Sequence, residues 1–256
     1  IKSLLEYEDS NINQILLWEN SISLDQRLES KDFSKLMVFS SGLNEAVTKA
    51  RNFLMYVSTQ EFMLVIDNDA WIEESITDKL FYWMREPDVA IVQPAILDPN
   101  SKKLYKIEGG FQKSTVLRNK YHGACSLHRR RHFLNSSGFP FLYDIAGEES
   151  FLALSHFFQN RKIIYTANAQ VMHEMSSKGR NQGLRELKSL THRNINLSLY
   201  SPFHYFLLRF LWYTISLIFY RYGNVRLKAK FLGDFLFKTL YGRRLFREQR
   251  NKTRFL

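Results

Sequence analysis

The sequence predicts an α/β fold: a mixed, mainly parallel β-sheet flanked by helices, with a helical extension at the C-terminus. Through residue 166, short apolar segments alternate with longer amphipathic segments, which is the pattern of strands joined by helices. Residues 62–66 form an unbroken apolar run, as expected of a central strand covered on both faces. At 256 residues, the chain is long enough for one large domain, or for one domain with an appendage.

In the first half of the chain, apolar periodicity predicts strands at residues 14–18, 35–39, 62–66 and 89–94. It predicts helices at residues 1–6, 44–57 and 73–84, with Asn44 as a candidate N-cap of the second. Residues 98–121 contain Gly109-Gly110 and are predicted as a loop, which is either a mobile acceptor-binding lid or a plain connector.

In the second half, strands are predicted at residues 123–127, 162–166 and 169–173. A helix or turn opens at residues 128–132, where three consecutive arginines are typical of a solvated face, or of a run that attracts anions near a phosphate site. A further helix follows Gly147-Glu148-Glu149, and another apolar helical segment spans residues 203–220.

The net charge of +11 is concentrated at the C-terminus. Residues 221–256 hold eleven Lys and Arg against Asp234 and Glu248, so they carry +9 and leave the body close to neutral. This distribution predicts a C-terminal surface that meets anions. Cys125 is the only cysteine of the chain, which excludes an internal disulfide and favours a reducing compartment.

The central apolar run leads directly into Asp67-Asn68-Asp69. If the strand continued through this triplet, Asp67 and Asp69 would point to the same side and repel each other unless a cation lay between them. The carboxyl end of a central strand is also where open α/β sheets bind ligands. The triplet therefore predicts a metal–phosphate site, and the alternative is a polar turn in which Asp69 begins the next helix.

Other polar residues lie at strand ends or helix starts, and each has a structural alternative. Glu19-Asn20-Ser21 follows a strand and would contact a nucleotide or form a turn. Arg51 would reach a diphosphate or lie on a solvated helix face. Glu148 and Glu149 would take part in catalysis or complement a helix dipole. His173 would bind a metal or be a hydrogen-bonded structural residue.

Taken in order, these motifs resemble those of family 2 glycosyltransferases, which have the Rossmann-like GT-A fold and invert the anomeric configuration. The resemblance runs from about Ile12 to about Asn196. Within the family, the chain is similar to rhamnosyltransferase-like enzymes that build bacterial surface polysaccharides. Five motifs carry it: Glu19-Asn20-Ser21, Asn44 with Ala50-Arg51-Asn52, Asp67-Asn68-Asp69, Gly147-Glu148-Glu149 and His173.

The resemblance implies roles for these residues. Glu19, Asn20, Asn44, Arg51 and Asp67 would bind a nucleoside-diphosphate sugar. The metal, Mg²⁺ or Mn²⁺, would be held by Asp69 and His173 together with Asp67.

By the same resemblance, Glu149 would be the catalytic base that takes the proton of the acceptor hydroxyl, and Glu148 would orient the acceptor or support the site. The acceptor would be a glycan or a polyprenol-linked glycan. The chain departs from the family in having Glu19 and Glu149 where Asp is more common. The family's opening nucleotide-binding strand is also missing, so we expect an N-terminal truncation and impaired donor binding.

These motifs predict a catalytic domain at residues 1–196 and an extension at residues 197–256 that is first apolar and then basic. An apolar helix followed by a polybasic stretch is typical of proteins that lie on an anionic membrane. We therefore predict a cytoplasmic protein at the inner face of a bacterial membrane. The alternative is a helix packed on the catalytic domain with a solvated tail.

Two other functions fit part of the sequence. A sugar-phosphate nucleotidyltransferase uses a similar sheet but normally has a Gly-rich, Lys-containing loop after its first strand, a segment that this chain lacks. A non-enzymatic module could bind nucleic acid through residues 221–256. That function leaves the acids at 67, 69, 148 and 149 unexplained, so we expect no nucleic-acid partner.

Overall fold

The computed structural model describes residues 1–20, 35–104, 114–141, 143, 146–174, 182–220 and 223–253. Ser21 and the Gly109-Gly110 segment of the predicted lid or connector lie outside these residues.

Helices and short strands alternate in the first part of the described chain, as predicted. The strands are β1 (Ile15–Glu19), β2 (Leu36–Ser40), β3 (Phe62–Ile66), β4 (Ala70–Trp71), β5 (Val89–Leu97), β6 (Val116–Arg118), β7 (Cys125–Arg129) and β8 (Lys162–His173). The α-helices are α1 (Lys2–Glu8), α2 (Val47–Val57), α3 (Thr77–Met84), α4 (Arg130–Leu134), α5 (Glu148–Phe157), α6 (Gln182–Tyr200), α7 (Phe203–Ile218) and α8 (Val225–Thr253).

The strands form a parallel pair, β1–β2, and a six-stranded sheet in the order β3-β7-β5-β8-β4, with β6 paired to β8. Strand β7 is antiparallel to both β3 and β5, and β5 is parallel to β8, so β3, β5 and β8 run in the same direction. The predicted mixed α/β class is confirmed.

Strand β8 joins two segments that the sequence predicted as separate strands. Its register with β5 shifts where Pro94 pairs with Thr166 but Ala95 pairs with Gln170, which marks a bulge on β8. The bulge interrupts the apolar pattern without ending the strand. It therefore carries β8 on to His173, at the edge where the candidate site lies.

The core of this part of the molecule lies on both faces of the six-stranded sheet. Every residue of β5 is buried, as expected of a central strand covered on both sides. One core cluster packs Leu80 and Met84 of α3, together with Ile76 just before it, against the sheet, and another packs Met55 of α2 and Phe133 of α4 against it.

The arginine run at 129–131 is only in part the solvated face that the sequence indicated, because Arg131 is exposed whereas Arg129 and Arg130 bind backbone carbonyls. Arg129 is 4% exposed and donates hydrogen bonds to the carbonyls of Met84 and Glu86 at the end of α3. Arg130 donates to the carbonyls of Met55 and Tyr56 at the end of α2. These positive side chains satisfy helix C-termini, where carbonyls otherwise lack partners.

By its internal packing, the chain divides into two compact units, one of residues 1–141 with 152–177 and the other of residues 142–151 with 178–256. The sequence predicted a boundary at residue 196 instead. The difference arises because Leu187, Ile195 and Leu199 of α6 share a core with Phe206 and Tyr213 of α7 and with Phe235 of α8. Among the described residues, no helix combines the length and apolarity that crossing a membrane requires.

Candidate active site

The Asp67-Asn68-Asp69 triplet forms a tight turn between β3 and the short strand β4. Strand β3 ends at Ile66, and the amide of Ala70 donates a hydrogen bond to the Asp67 carbonyl over 3.1 Å. The predicted strand alternation is therefore not what brings the two carboxylates to one side; the turn does this. Nor does Asp69 begin a helix, because α3 starts only at Thr77.

His173 reaches this turn from the end of β8. Strand β4 pairs antiparallel with β8 and places Ala70 opposite His173, and the amide of Glu174 donates to the Asp69 carbonyl over 2.9 Å. The imidazole Nε2 of His173 lies 3.2 Å from Oδ1 of Asp69. One ligand atom each from Asp67, Asp69 and His173 lie within 4.8 Å of one another.

These three side chains fit a divalent cation. Two carboxylates and one imidazole offer oxygen and nitrogen ligands, a set compatible with Mn²⁺, whereas Mg²⁺ favours the oxygens. His173 is buried, while the side chains of Asp69 and Asp67 keep 29% and 34% of their surface exposed. The partial exposure leaves room for a phosphate or water as a further ligand.

Arg51 holds Asp67 in place from helix α2. Its Nη2 donates to Oδ1 of Asp67 over 2.6 Å and to the carbonyl of Gly123 over 3.1 Å. The guanidinium also lies 5.7 Å from the ring centre of Phe139. Arg51 is buried, so it does not lie on a solvated helix face, and it forms an ion pair with a carboxylate of the candidate site.

All five residues predicted to bind the nucleotide sugar line one cavity of about 960 Å³ next to strands β1 and β3: Glu19, Asn20, Asn44, Arg51 and Asp67. Their local roles differ. The Asn20 amide accepts from the Glu45 amide over 3.1 Å and donates to the Glu45 carbonyl over 3.2 Å, so it also ties the end of β1 to the segment ahead of α2. Asn44 is exposed and does not cap α2, whose N-cap is Ala46 without a side-chain hydrogen bond.

His122 is a neighbour of the site that sequence reasoning missed. Its ring centre lies 5.7 Å from that of His173, in an edge-to-face arrangement. Its Nδ1 accepts a hydrogen bond from the Ala124 amide over 3.1 Å, which leaves the Nε2 proton as its other polar group. No local pattern marked His122, because it lies ahead of β7 and comes near His173, at the end of β8, only when both strands pair with β5 in one sheet.

Glu148 and Glu149 begin helix α5, as the sequence predicted, and both belong to the second unit rather than to the predicted catalytic domain of residues 1–196. Ala146 and Gly147 ahead of them both adopt positive φ, 68° and 90°. Glu148 is 4% exposed, whereas Glu149 is partly exposed. The two adjacent carboxylates therefore meet different surroundings, and Glu149 is the more accessible.

No protein-family model and no curated protein matches the sequence. Solved structures match by fold at low identity. GalNAc-T7 with UDP, GalNAc and Mn²⁺ gives a TM-score of 0.65 at 13% identity, over 91% of this chain and 50% of that one. Mannosyltransferase PcManGT from Pyrobaculum calidifontis with GDP-Man and Mn²⁺ gives a TM-score of 0.59 at 14% identity, over 93% of this chain and 68% of that one. TarS 1-349 of S. aureus gives a TM-score of 0.56 at 15% identity, over 93% of this chain and 65% of that one.

The chain thus spans about half the length of the GalNAc-T7 structure. These likenesses establish the GT-A fold that the sequence motifs implied.

Proposed function

We propose that this GT-A-fold chain is a metal-dependent, inverting glycosyltransferase. It transfers a hexosyl or deoxyhexosyl group from a nucleoside-diphosphate sugar to a hydroxyl of a glycan or lipid-linked glycan in bacterial cell-surface polysaccharide synthesis. The observation that carries the proposal is the Asp67–Asp69–His173 group at the turn after β3. Support comes from two structures of the same fold that contain a nucleotide or nucleotide sugar together with Mn²⁺.

The residues of the site have different roles in binding the metal and the nucleotide sugar. Asp69 and His173 hold the metal, and Asp67, fixed by Arg51, completes the ligand set or contacts the nucleoside. A bound Mg²⁺ or Mn²⁺ would stabilise the negative charge that develops on the leaving diphosphate. Glu19, Asn20 and Asn44 contact the nucleoside at the rim of the cavity that they line.

Glu149 serves as the general base for the acceptor hydroxyl. Inversion needs one group that removes the acceptor proton as the hydroxyl oxygen attacks the anomeric carbon. A partly exposed carboxylate can reach such a hydroxyl, whereas the buried Glu148 is suited to supporting the first turn of α5.

The experiment that tests the proposal is thermal denaturation with UDP-, GDP- and dTDP-sugars, each with and without Mn²⁺. We expect at least one nucleotide sugar to raise Tm only when the metal is present. Asp69→Ala removes the ligand oxygens and should abolish this metal-dependent shift. Asp88→Ala is the matched control, because Asp88 pairs with Lys162 at the opposite end of β8. A metal-dependent shift that survives in folded Asp69→Ala protein would exclude Asp69 as a ligand.

We also propose that the second unit associates with an anionic membrane surface through α7. One face of this helix is packed in the core through Phe206, Tyr213 and Leu217. The opposite face exposes an apolar stripe at helical spacing: Leu208, Leu211, Trp212, Ile215 and Phe219, each 53–82% exposed. Such a stripe next to basic residues suits an interfacial helix.

The basic residues contribute less to this surface than the sequence indicated. Lys228 donates to the carbonyl of Ile218 at the end of α7 over 3.0 Å. Arg243 donates to the carbonyls of Ser198 and Ser201 at the end of α6 over 2.6 and 2.7 Å. Both therefore stabilise helix C-termini, and we expect the exposed Arg226 and Lys230 of α8 to meet anionic headgroups.

A further inference from the structure

The turn ahead of Glu148 and Glu149 is held by two side chains of α6 whose role the proposed function does not explain. His192 Nδ1 lies 2.6 Å from the carbonyl oxygen of Ala146, and Asn196 Nδ2 donates to the carbonyl of Gly147 over 2.9 Å. Residues four apart lie on the same face of a helix, so these two donors meet two successive carbonyls. Both side chains are buried, with 1% and 2% exposure.

The contact geometry fixes the protonation of the His192 ring. Since Nδ1 lies at hydrogen-bond distance from a carbonyl, it must carry the proton, and in a neutral ring Nε2 is then an acceptor. The ammonium of Lys238 on α8 lies 3.4 Å from Nε2 and can only donate. Lys238 thus stabilises the tautomer that donates to Ala146.

Tyr143 holds both side chains from the other side. Its ring stacks on the His192 ring with centres 3.8 Å apart and planes within 2°. Its hydroxyl donates to Oδ1 of Asn196 over 2.8 Å, which orients the Asn196 amide so that Nδ2 faces Gly147. Because these side chains are buried and their donors and acceptors are paired, they support the turn rigidly.

The turn itself needs this support. Ala146 is a non-glycine residue at φ 68°, a conformation that persists only where the surroundings impose it. Gly147 is at φ 90°, and a Cβ added there would come within 2.9 Å of Cβ of His192. Helix α6 therefore packs directly against the turn from which the Glu148–Glu149 helix starts.

We propose that His192 and Asn196 are positioning residues for the proposed catalytic base. By binding the carbonyls of Ala146 and Gly147, they set the direction of the first turn of α5 and hence of the Glu149 carboxylate. This inference rests on the proposed function, because positioning matters only if Glu149 takes a proton. A misplacement of about 1 Å can cost on the order of 100-fold in rate.

The decisive variant is His192→Phe, which keeps a ring against Tyr143 but cannot donate to Ala146. We expect kcat to fall about 10- to 100-fold while the donor KM changes less than about threefold. His192→Asn should restore most of the activity, because Asn Nδ2 replaces Nδ1 as donor. Asn196→Asp provides a second variant, since it keeps the acceptor for Tyr143 and loses the donor to Gly147.

Thr191→Val is the matched control. Thr191 is buried one residue away on α6 and bonds the Tyr213 hydroxyl over 2.5 Å, away from the turn. It should lower Tm without lowering kcat. If His192→Phe and Thr191→Val lower kcat equally, the effect is general destabilisation and the positioning role is overturned.

A double-mutant cycle shows whether His192 acts through Glu149. In a Glu149→Gln background, His192→Phe should cost nothing further, because the group being positioned is already removed. Full additivity of the two losses would overturn the proposal.

Hydrogen exchange of the first turn of α5 keeps this inference separable from the proposed function. The amide of Phe151 donates to the Gly147 carbonyl, so its exchange reports on the turn. It should exchange at least tenfold faster in His192→Phe and unchanged in Thr191→Val. A wild-type chain without transferase activity would refute the proposed function alone. Unchanged exchange in His192→Phe would refute the positioning role of His192, whether or not the chain has transferase activity.

Discussion

At the scale of single residues, Glu148 and Glu149 show how adjacent carboxylates acquire different surroundings. Neighbours at a helix start point about 100° apart, because an α-helix has 3.6 residues per turn. Glu148 consequently faces inward at 4% exposure, while Glu149 remains partly exposed. The roles proposed for the two residues, Glu149 as base and Glu148 as support, stay a prediction.

We therefore expect Glu149→Gln to lower kcat about 10²- to 10⁴-fold, because the amide cannot accept the acceptor proton. Donor and metal affinity should stay nearly intact. Glu148→Gln should cost less in turnover and more in acceptor affinity or Tm. Steady-state kinetics and isothermal titration with donor check both variants. An inactive Glu148→Gln beside an active Glu149→Gln would reverse the two roles.

His128 makes the stability of the fold depend on pH. It is 1% exposed, and burial, with a contribution from Arg51, lowers the pKa of its imidazole to about 3. The folded chain then keeps His128 neutral at pH values where the unfolded chain binds a proton. Stability contributed by this group is present above the ordinary pKa of 6.5 and is lost as pH falls below it toward 3.

We expect His128→Phe to flatten this dependence. Between pH 6.5 and 4.5, the slope of the unfolding free energy against pH should decrease by up to about 1.4 kcal/mol per pH unit. Guanidinium denaturation at several pH values measures the slope. His204→Phe, at an exposed position, is the control. Equal slopes in wild type and His128→Phe would show that His128 is not kept neutral by the fold.

At the scale of secondary-structure elements, one buried carboxylate joins two helices that are distant in sequence. Oε1 of Glu8 in α1 accepts from the amides of Ile76 and Thr77 over 2.5 and 2.8 Å at the start of α3. Ile76, the residue before α3, provides no side-chain cap of its own. Glu8 thus satisfies amides that a helix N-terminus leaves without partners.

Burial raises the pKa of Glu8, but hydrogen bonds from Thr77, Asn11 and the amide of Ile76 outweigh it and lower the pKa below 4.5. The stabilisation is therefore present above pH 4.5 and lost as pH falls through the lower folded pKa. Glu8→Gln should reduce the unfolding free energy at pH 7 by about 1–3 kcal/mol, as for a hydrogen-bonded charged group. Denaturation measurements check this, with exposed Glu6→Gln as control. An equal effect of the two variants would argue against the cap.

At the scale of the whole molecule, the second unit contains a core and an uncovered apolar surface on the same helix. Deleting residues 203–256 would remove Phe206, Tyr213 and Phe235 from that core, so a truncation cannot isolate membrane binding. Substitutions on the exposed stripe of α7 can, because they leave the core untouched.

We expect the combined variant Leu211→Gln, Trp212→Gln and Ile215→Gln to lose most of its co-sedimentation with phosphatidylglycerol vesicles at low salt, since each side chain would otherwise bury apolar surface in the interface. Tm should be nearly unchanged. Arg226→Gln with Lys230→Gln should weaken binding mainly at low salt, because salt screens surface charge. Vesicle binding by the triple-Gln variant equal to wild type would show that the stripe does not face lipid.

The sequence by itself determined the class of the fold and the residues of the candidate site. Phe62–Ile66 was predicted to the residue as a strand, because a short apolar run that contains β-branched residues is typical of a buried strand. Polar residues at strand ends and helix starts were singled out as site candidates in the same way: Asp67, Asp69, His173, Glu148 and Glu149.

Tertiary structure decided what local patterns do not contain. The bulge in β8 carries His173 to Asp69, Arg51 turns inward to Asp67, and Arg129 and Arg243 bind helix ends instead of solvent. His192, Asn196 and Tyr143 converge on the turn before Glu148 only because α6 packs there. Polar side chains take their partners from whichever backbone groups folding leaves unsatisfied nearby. Those partners are therefore set by contacts distant in sequence, whereas apolar periodicity is set by the local repeat of helix and strand.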